Sequence, residues 1–190
     1  MKKTISIIAM AMLCLFFSAP SQSQSFTPAF KPVKIGDRIP DVTLTNVYNY
    51  EFTKTDLSDF KAKLIILDFW AICCTSCQAN FLKTEELQKM YGGEVQFIKV
   101  TNQTKAEVLP FLKKIHKTEP SAIPVVTDDS ALHQLFYPIY LPHYVWLDQT
   151  GKVIAITTGE QLTVENIDQF LSNDNIGDMC TKVNMDNSNL

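Results

Sequence analysis

The sequence predicts an α/β domain in which a central mixed sheet is flanked by helices. Segments with strand and helix patterns alternate along the chain as strand, helix, strand, helix, an order that is typical of parallel strands joined by crossing helices. A hairpin pattern and a final helix follow, and the hairpin adds antiparallel strands to the same sheet. The chain has 190 residues, of which 46% are hydrophobic, and this is enough for one continuous core.

The first 23 residues have the layout of a secretory signal peptide. Lys2 and Lys3 precede an apolar run over residues 5–17, and small residues around Ser23 offer a cleavage site. The apolar run is shorter than the roughly 20 residues that a membrane-spanning helix needs. Cleavage would leave an exported chain without a membrane span, in the periplasm, outside the cell or at the envelope. The alternatives are an uncleaved anchor and a lipoprotein signal at Cys14.

The domain is expected over residues 36–172, between a linker at 24–35 and a polar tail at 173–190. Its first element is an alternating strand pattern at residues 42–47 that turns back into residues 51–53. The domain is therefore expected to begin with a β-hairpin extension.

The centre of the domain is predicted as strand, helix, strand. A near-continuous apolar run at residues 64–70 indicates a strand that is covered on both faces. Helix-compatible residues follow from 75 to 90 and stop at Gly92 and Gly93. Residues 95–100 have the pattern of the next strand.

A second helix is predicted after this strand. Thr104 and Glu107 have the spacing of a capping box, but Pro110 indicates a helix that is kinked or starts later. The next elements are a short strand at 124–126 and a short helix at 130–136. Two strands at 144–147 and 152–156 then flank a turn at 148–151. Thr163 caps a last helix, whose apolar face consists of Val164, Ile167, Phe170 and Leu171.

The cysteines cluster at the point where the buried strand meets the first helix. Cys14 leaves with the signal peptide, Cys180 stands alone, and Cys73, Cys74 and Cys77 lie together. Such clustering indicates a reactive site rather than a scaffold of scattered structural disulfides. Cys74 lies at the predicted helix start, where the helix dipole and free backbone N–H groups favour a thiolate. Cys77 is one turn further on and can pair with it.

A lone CxxC motif is typical of redox, metal and structural sites, and the redox interpretation is favoured here. The chain has no second CxxC and no paired-His motif for a metal, and Gln78 stands where a covalent haem site needs His. Dithiol chemistry needs no organic cofactor. The balance of 17 basic against 20 acidic residues gives no electrostatic argument for a nucleic-acid partner.

Three ordered motifs resemble those of the TlpA/ResA-like family of exported thioredoxin-like thiol-disulfide oxidoreductases. The resemblance covers about residues 36–171. The motifs are a "DFWA" strand followed by CxxC at residues 64–77, an N-terminal hairpin at residues 39–46 with 57–60, and a cis-proline strand with its hairpin at residues 141–153.

The resemblance implies a thioredoxin-like fold and a set of site residues. Pro142 would be cis and would face the CxxC motif, with substrate backbone pairing beside Leu141 and Pro142. Asp68 would accept the proton of Cys77, and Lys99 on the next strand would accompany it. Trp70, next to this strand end, would support the site.

The chain departs from the family pattern at three places. Cys73 stands where relatives carry Trp, and it is expected to fill space as a small apolar residue; a second resolving thiol or a pair with Cys180 are the alternatives. Thr75 and Ser76 replace a dipeptide that ends in proline, which leaves the direction of electron flow open. His143 is expected at the rim of the site.

The sequence therefore predicts an enzyme, an exported monomeric thiol-disulfide oxidoreductase. Its Cys74 would attack a protein disulfide and Cys77 would resolve the mixed disulfide, with an upstream redox partner restoring the pair. A Sco-like copper protein using Cys73 and Cys77 with His133 or His143 is one alternative, and a non-enzymatic binding module is another. A peroxiredoxin is disfavoured because no cysteine of the cluster has Thr or Ser three residues before it.

Overall fold

The computed structural model describes residues 33–116 and 121–172. The predicted signal peptide, most of the predicted linker, the predicted tail, Cys14 and Cys180 lie outside the described residues. The strands are β1 Thr43–Thr45, β2 Val47–Tyr48, β3 Lys54–Asp56, β4 Leu64–Phe69, β5 Val95–Val100, β6 Val125–Val126, β7 His143–Asp148 and β8 Val153–Thr157. The helices are a 3₁₀ turn Leu57–Asp59, α1 Thr75–Tyr91, α2 Lys105–Ile115, α3 Ala131–Phe136 and α4 Val164–Leu171.

The central sheet is mixed, as the sequence predicts. Its six strands lie in the order β2-β6-β5-β4-β7-β8. The pairs β4–β5 and β5–β6 are parallel, whereas β4–β7, β7–β8 and β2–β6 are antiparallel. Strand β4 lies inside the sheet and every one of its residues is buried, so the end of β4 is a rigid place from which to present side chains.

The N-terminal hairpin differs from the prediction in its partners. β1 pairs with β3, with Leu44 opposite Thr55, so the returning strand is Lys54–Asp56 rather than residues 51–53. Val47 and Tyr48 leave the hairpin and pair with β6 at the edge of the main sheet. Asn46, between the two pairings, has a φ of 55°, a left-handed conformation that Asn tolerates better than most residues.

Helices cover both faces of the sheet. Ile65, Leu67 and Phe69 of β4 pack with the N-terminal hairpin and α3. On the other face, Leu64 and Ile66 of β4 pack with α1 and α4. Helix α2 packs on this second face as well. Its Val108 and Leu112 form a further buried cluster with Trp70, Cys77 and Phe81.

The helix starts follow the sequence signals. The capping box of Thr104 and Glu107 forms, and α2 begins at Lys105, directly after Thr104. Pro110 lies in the helix interior, so the helix does not start later. Thr163 accepts a hydrogen bond from the Asn166 N–H at the start of α4. In residues 33–116 and 121–172, no helix combines the length and apolar character needed to cross a membrane.

Candidate active site

The turn between β4 and α1 is fixed by side-chain amides from both sides. The Gln103 side chain accepts a 2.7 Å hydrogen bond from the Ile72 N–H, and the Gln78 side chain donates one of 2.7 Å to the Ile72 carbonyl. The Cys74 N–H donates to the Ala71 carbonyl. These bonds position Cys74 at the N-cap of α1.

Cys74 and Cys77 form a disulfide across the first turn of α1, with 5.2 Å between their Cα atoms. Cys74 is half-buried, while Cys77 is only 2% exposed. The Cys77 N–H donates a 3.1 Å hydrogen bond to Cys74 Sγ. This donor and the helix N-terminus both favour negative charge on Cys74, whereas Cys77 is enclosed by the protein.

The loop before β7 lies beside the disulfide. The peptide bond between Leu141 and Pro142 is cis, as the family resemblance implies. Ser76 Oγ lies 3.3 Å from Cys74 Sγ and 3.5 Å from the Leu141 carbonyl oxygen. The Ser76 hydroxyl therefore lies between Cys74 and the loop before β7, a contact that the residue type did not signal.

A buried ion pair lies on the face of β4 that α1 covers. Lys99 Nζ is 3.2 Å from Asp68 Oδ2, with both side chains almost fully buried, and it donates a 2.6 Å hydrogen bond to Thr84 Oγ1. It also lies 4.1 Å from the centre of the Phe81 ring. Burial raises the pKa of Asp68, and the charge and hydrogen bond of Lys99 oppose that rise.

The same helix face connects this ion pair to the disulfide. Cys77, Phe81 and Thr84 are buried on α1 at spacings of four and three residues, which places them on one side of the helix. Cys77 therefore faces the layer that contains Asp68 and Lys99. Thr84 was not predicted from the sequence, since a threonine inside a helix carries no signal of such a contact.

Tyr144 is a second residue that sequence reasoning missed. It lies opposite Asp68 in the pairing of β4 with β7 and is fully buried. Its hydroxyl has no hydrogen-bond partner within 3.5 Å among the described residues, but it is near enough to the Asp68 carboxylate for electrostatics to act. Burial first, and then the Asp68 charge, raise the pKa of Tyr144.

Trp70 forms the aromatic wall of the site. Its ring stacks on Phe111 with 5.5 Å between ring centroids and meets the edge of Phe81 at 4.9 Å. Because Trp70 and Cys77 belong to the same buried cluster, this wall packs around the buried sulfur.

Two predicted positions are corrected. Cys73 is an exposed free cysteine and does not fill space in the wall, since the turn directs its neighbours Ile72 and Cys74 inward. His143 is buried rather than at the rim, because it is the first residue of β7, opposite Phe69 of β4. Burial lowers the pKa of His143 to about 4, so its ring is neutral at pH 7.

The Sco-like alternative would use Cys77 and a histidine, and these side chains have other contacts in the structure. Within the parts of the chain that the structure describes, His, Cys, Asp and Glu form no group of three or more that could hold a metal ion. Cys77 is paired with Cys74, and the rings of His133 and His143 both contact Phe69 edge-on.

Comparison with protein families gives a match to the Redoxin model over residues 34–171. Thiol-disulfide oxidoreductase ResA of Geobacillus kaustophilus (strain HTA426) is 30% identical over 143 residues, which cover 73% of this chain and 77% of that protein. ResA of Bacillus thuringiensis subsp. konkukian is 29% identical over 167 residues, which cover 87% of this chain and 92% of that protein.

Solved structures support the same fold. A putative thiol:disulfide interchange protein DsbE from Chlorobium tepidum has a TM-score of 0.59 at 22% identity, covering 74% of this chain and 97% of that one. The pneumococcal exposed lipoprotein thioredoxin Etrx1 from Streptococcus pneumoniae has a TM-score of 0.56 at 25% identity, covering 70% of this chain and 99% of that one. The fold of this chain is therefore thioredoxin-like.

Proposed function

The chain belongs to the redoxin family, and from this premise we propose that it is an exported thiol-disulfide oxidoreductase that exchanges electrons with disulfides of other proteins. The observation that carries the proposal is the Cys74–Cys77 disulfide at the start of α1, beside the cis peptide bond of Leu141 and Pro142. The half-buried Cys74 can meet a substrate sulfur, whereas the buried Cys77 can react only within the protein.

The first step is attack by Cys74. Its thiolate forms a bond to one sulfur of a substrate disulfide, and the other substrate sulfur leaves as a thiolate. Extended substrate backbone lies beside Leu141 and Pro142 in this mixed disulfide. The Cys77 N–H and the N-terminus of α1 stabilise the negative charge on Cys74 before the attack.

The second step is resolution by Cys77. Asp68 accepts the Cys77 proton, directly or through water, and Cys77 attacks Cys74 Sγ. The Cys74–Cys77 bond forms and the bond between Cys74 and the substrate breaks. The substrate leaves as a dithiol after taking one proton from Asp68 and one from solvent. A carboxylate with a raised pKa accepts a proton more readily, and the positive charge of Lys99, 3.2 Å away, favours the ionised form that can accept it. Trp70 holds the aromatic wall around Cys77.

Turnover requires a second protein. After each cycle a partner dithiol reduces the Cys74–Cys77 disulfide and itself becomes a disulfide. The leader at residues 1–23 supports export to a compartment where disulfides persist. The relative from Streptococcus pneumoniae, named an exposed lipoprotein, supports an extracytoplasmic location.

The proposal is tested by reduction of insulin disulfides by single cysteine variants, with dithiothreitol as the electron donor. Cys74→Ser should abolish turnover. Once that donor is removed, Cys77→Ser should accumulate a mixed disulfide with insulin because no resolving thiol remains. Cys73→Ser is the matched control; it should keep at least about half of the activity, since surface substitutions are commonly near neutral.

The contrary result is a Cys73→Ser variant as inactive as Cys74→Ser. A parallel anaerobic titration with Cu(I) then examines the copper alternative. The copper function would replace the oxidoreductase proposal if two results are found together. The wild-type protein would bind Cu(I) tightly and lose this binding in both Cys73→Ser and Cys77→Ser, and it would not reduce insulin.

A further inference from the structure

The Ser76 hydroxyl lies between two functional groups of different chemistry. Its oxygen is 3.3 Å from the sulfur of Cys74 and 3.5 Å from the carbonyl oxygen of Leu141. A serine hydroxyl has one proton and can donate one strong hydrogen bond at a time. Ser76 therefore has two acceptors in reach and must choose between them.

We propose that Ser76 is a catalytic residue whose hydroxyl donates to the Cys74 thiolate in the reduced protein and to the Leu141 carbonyl in the oxidised protein. The inference rests on the proposed thiol-disulfide exchange at Cys74. In this inference the Ser76 hydroxyl is a second hydrogen-bond donor to the reacting sulfur, beside the Cys77 N–H. The hydroxyl also changes its hydrogen-bond partner with the redox state of the cysteines.

The redox state decides between the two acceptors. In the disulfide, Cys74 Sγ is a weak acceptor and the Leu141 carbonyl is the stronger one. The 3.5 Å between Ser76 Oγ and this carbonyl oxygen is longer than the usual O–H···O bond, and a small rotation of Ser76 must shorten it. When a partner dithiol reduces the pair, the bond between Cys74 and Cys77 breaks and the partner becomes a disulfide. Of the two partner protons, one goes to Cys77 and one to solvent. Cys74 then carries a full negative charge, and charge-assisted hydrogen bonds are about twice as strong as neutral ones.

The change of partner affects the loop that receives substrate. The Leu141 carbonyl precedes the cis peptide bond to Pro142, where substrate backbone is proposed to pair. In the reduced form, which must bind a disulfide substrate, Ser76 turns to Cys74 and frees this carbonyl for a substrate N–H. In the oxidised form, which must release its product, Ser76 returns to the carbonyl and competes with the substrate.

The first test measures the pH midpoint of iodoacetamide alkylation of Cys74 in the reduced full-length protein. In Ser76→Ala the midpoint should rise by about half to one pH unit, a three- to tenfold loss of thiolate stabilisation. Thr75→Val is the matched control because no hydrogen bond joins the exposed Thr75 hydroxyl to another described residue. Ser76→Thr keeps a hydroxyl at the site and should restore the wild-type midpoint.

The same variants are equilibrated with glutathione to obtain the reduction potential. Ser76→Ala should favour the oxidised form, but by less than the factor seen at the alkylation midpoint, because the variant also loses the bond to the Leu141 carbonyl in the oxidised form. A tenfold factor corresponds to about 30 mV, so the shift toward more negative potential should be smaller than that. Thr75→Val and Ser76→Thr should stay near the wild-type value.

The second test follows the Leu141 carbonyl itself. Protein labelled with ¹³C-Leu and ¹⁵N-Pro gives carbonyl–nitrogen correlations for its Leu–Pro bonds, among them Leu141–Pro142 and Leu109–Pro110. The Leu141 carbonyl shift should change between oxidised and reduced wild-type protein, and it should change less in Ser76→Ala. The Leu109 signal should be the same in both proteins and serves as the internal reference.

The outcomes separate this inference from the proposed function. A wild-type Cys74 midpoint at or above the reference of about 8.5 would overturn both. A depressed wild-type midpoint that Ser76→Ala leaves unchanged would overturn the role of Ser76 alone. The role of Ser76 would also be overturned if the Leu141 carbonyl shift changed equally with redox state in wild type and in Ser76→Ala. It would be overturned too if Ser76→Thr failed to restore the wild-type alkylation midpoint.

Discussion

At the scale of single residues, the buried carboxylate of Asp68 has opposite effects on stability and on turnover. Asp68→Asn should slow resolution of the mixed disulfide by roughly 10²-fold, the lower end of the usual contribution of a general base. Attack by Cys74 should stay nearly intact. Stopped-flow mixing with a disulfide substrate, followed by acid quench, measures the two steps separately.

The same substitution has a pH-dependent effect on folding. Because burial raises the pKa of Asp68, ionisation costs folding free energy once the pH exceeds the unfolded value of about 3.9. The free energy of unfolding of Asp68→Asn, relative to wild type, should therefore rise from pH 4 to pH 7. The gain is about 1.4 kcal/mol for each unit by which the folded pKa exceeds the unfolded one. Urea unfolding measures it. Equal turnover and an equal pH profile in the two proteins would show that Asp68 neither accepts the Cys77 proton nor ionises with a raised pKa.

His143 titrates in the opposite sense. Its pKa is lowered to about 4 by burial, so the unfolded chain binds this proton first as the pH falls through about 6.5. The stability contributed by neutral His143 is present above pH 6.5 and is lost between pH 6.5 and 4. His143→Phe, which keeps a ring against Phe69, should flatten the decline in unfolding free energy across this window. A decline as steep as that of wild type would mean that another group titrates there.

Residue type decided which parts of the site were predictable. Asp68 and Lys99 are charged residues inside apolar strands, so the sequence marks them. Thr84 and Tyr144 are ordinary residues of a helix and a strand, and their places depend on how α1 and β7 rotate against β4. His143 was misplaced because the burial of a strand's first residue depends on the neighbouring elements.

At the scale of elements, the start of α1 depends on its contact with the loop after β8. A Cβ atom on Gly159 would lie 2.8 Å from Asn80 Nδ2, and this amide donates a 2.9 Å hydrogen bond to the Ser76 carbonyl. Gly159→Ala should displace the Asn80 side chain and lower the unfolding free energy by about 0.5–1.5 kcal/mol, the contribution of one such bond.

Two variants control this prediction in urea unfolding. Gly93→Ala should be neutral or slightly stabilising because a Cβ there meets nothing within 4 Å. In an Asn80→Ala background, Gly159→Ala should lower the unfolding free energy only slightly further. If it lowered the unfolding free energy by the full amount in that background, the added methyl group would clash with a residue other than Asn80.

The elements that the sequence predicted well have local signals. The apolar run of β4, the capping box of α2 and the turn between β7 and β8 all depend on neighbours in the chain. β2 was not predicted as a separate strand, since two residues carry no periodicity and their pairing with β6 joins segments far apart in the sequence. The mixture of parallel and antiparallel strands was predictable, because strands and helices alternate along the sequence and a hairpin follows them.

At the scale of the whole molecule, export is the remaining expectation. The leader predicts that the protein purified from the secreting cell begins near Gln24, because cleavage after Ser23 removes residues 1–23. Intact-mass analysis with N-terminal sequencing measures this directly. A chain that still begins with Met1, or one acylated at Cys14, would contradict it.

The deep burial of Cys77 makes this sulfur an internal reporter of local opening. In the reduced protein, an alkylating reagent can reach Cys77 only when the first turn of α1 separates from the sheet, because the side chain is 2% exposed. Its labelling rate, divided by that of an unfolded peptide, gives the opening equilibrium of that turn without an added probe. Cys73, exposed four residues earlier, labels in the same sample at the rate of an open thiol and calibrates the reagent.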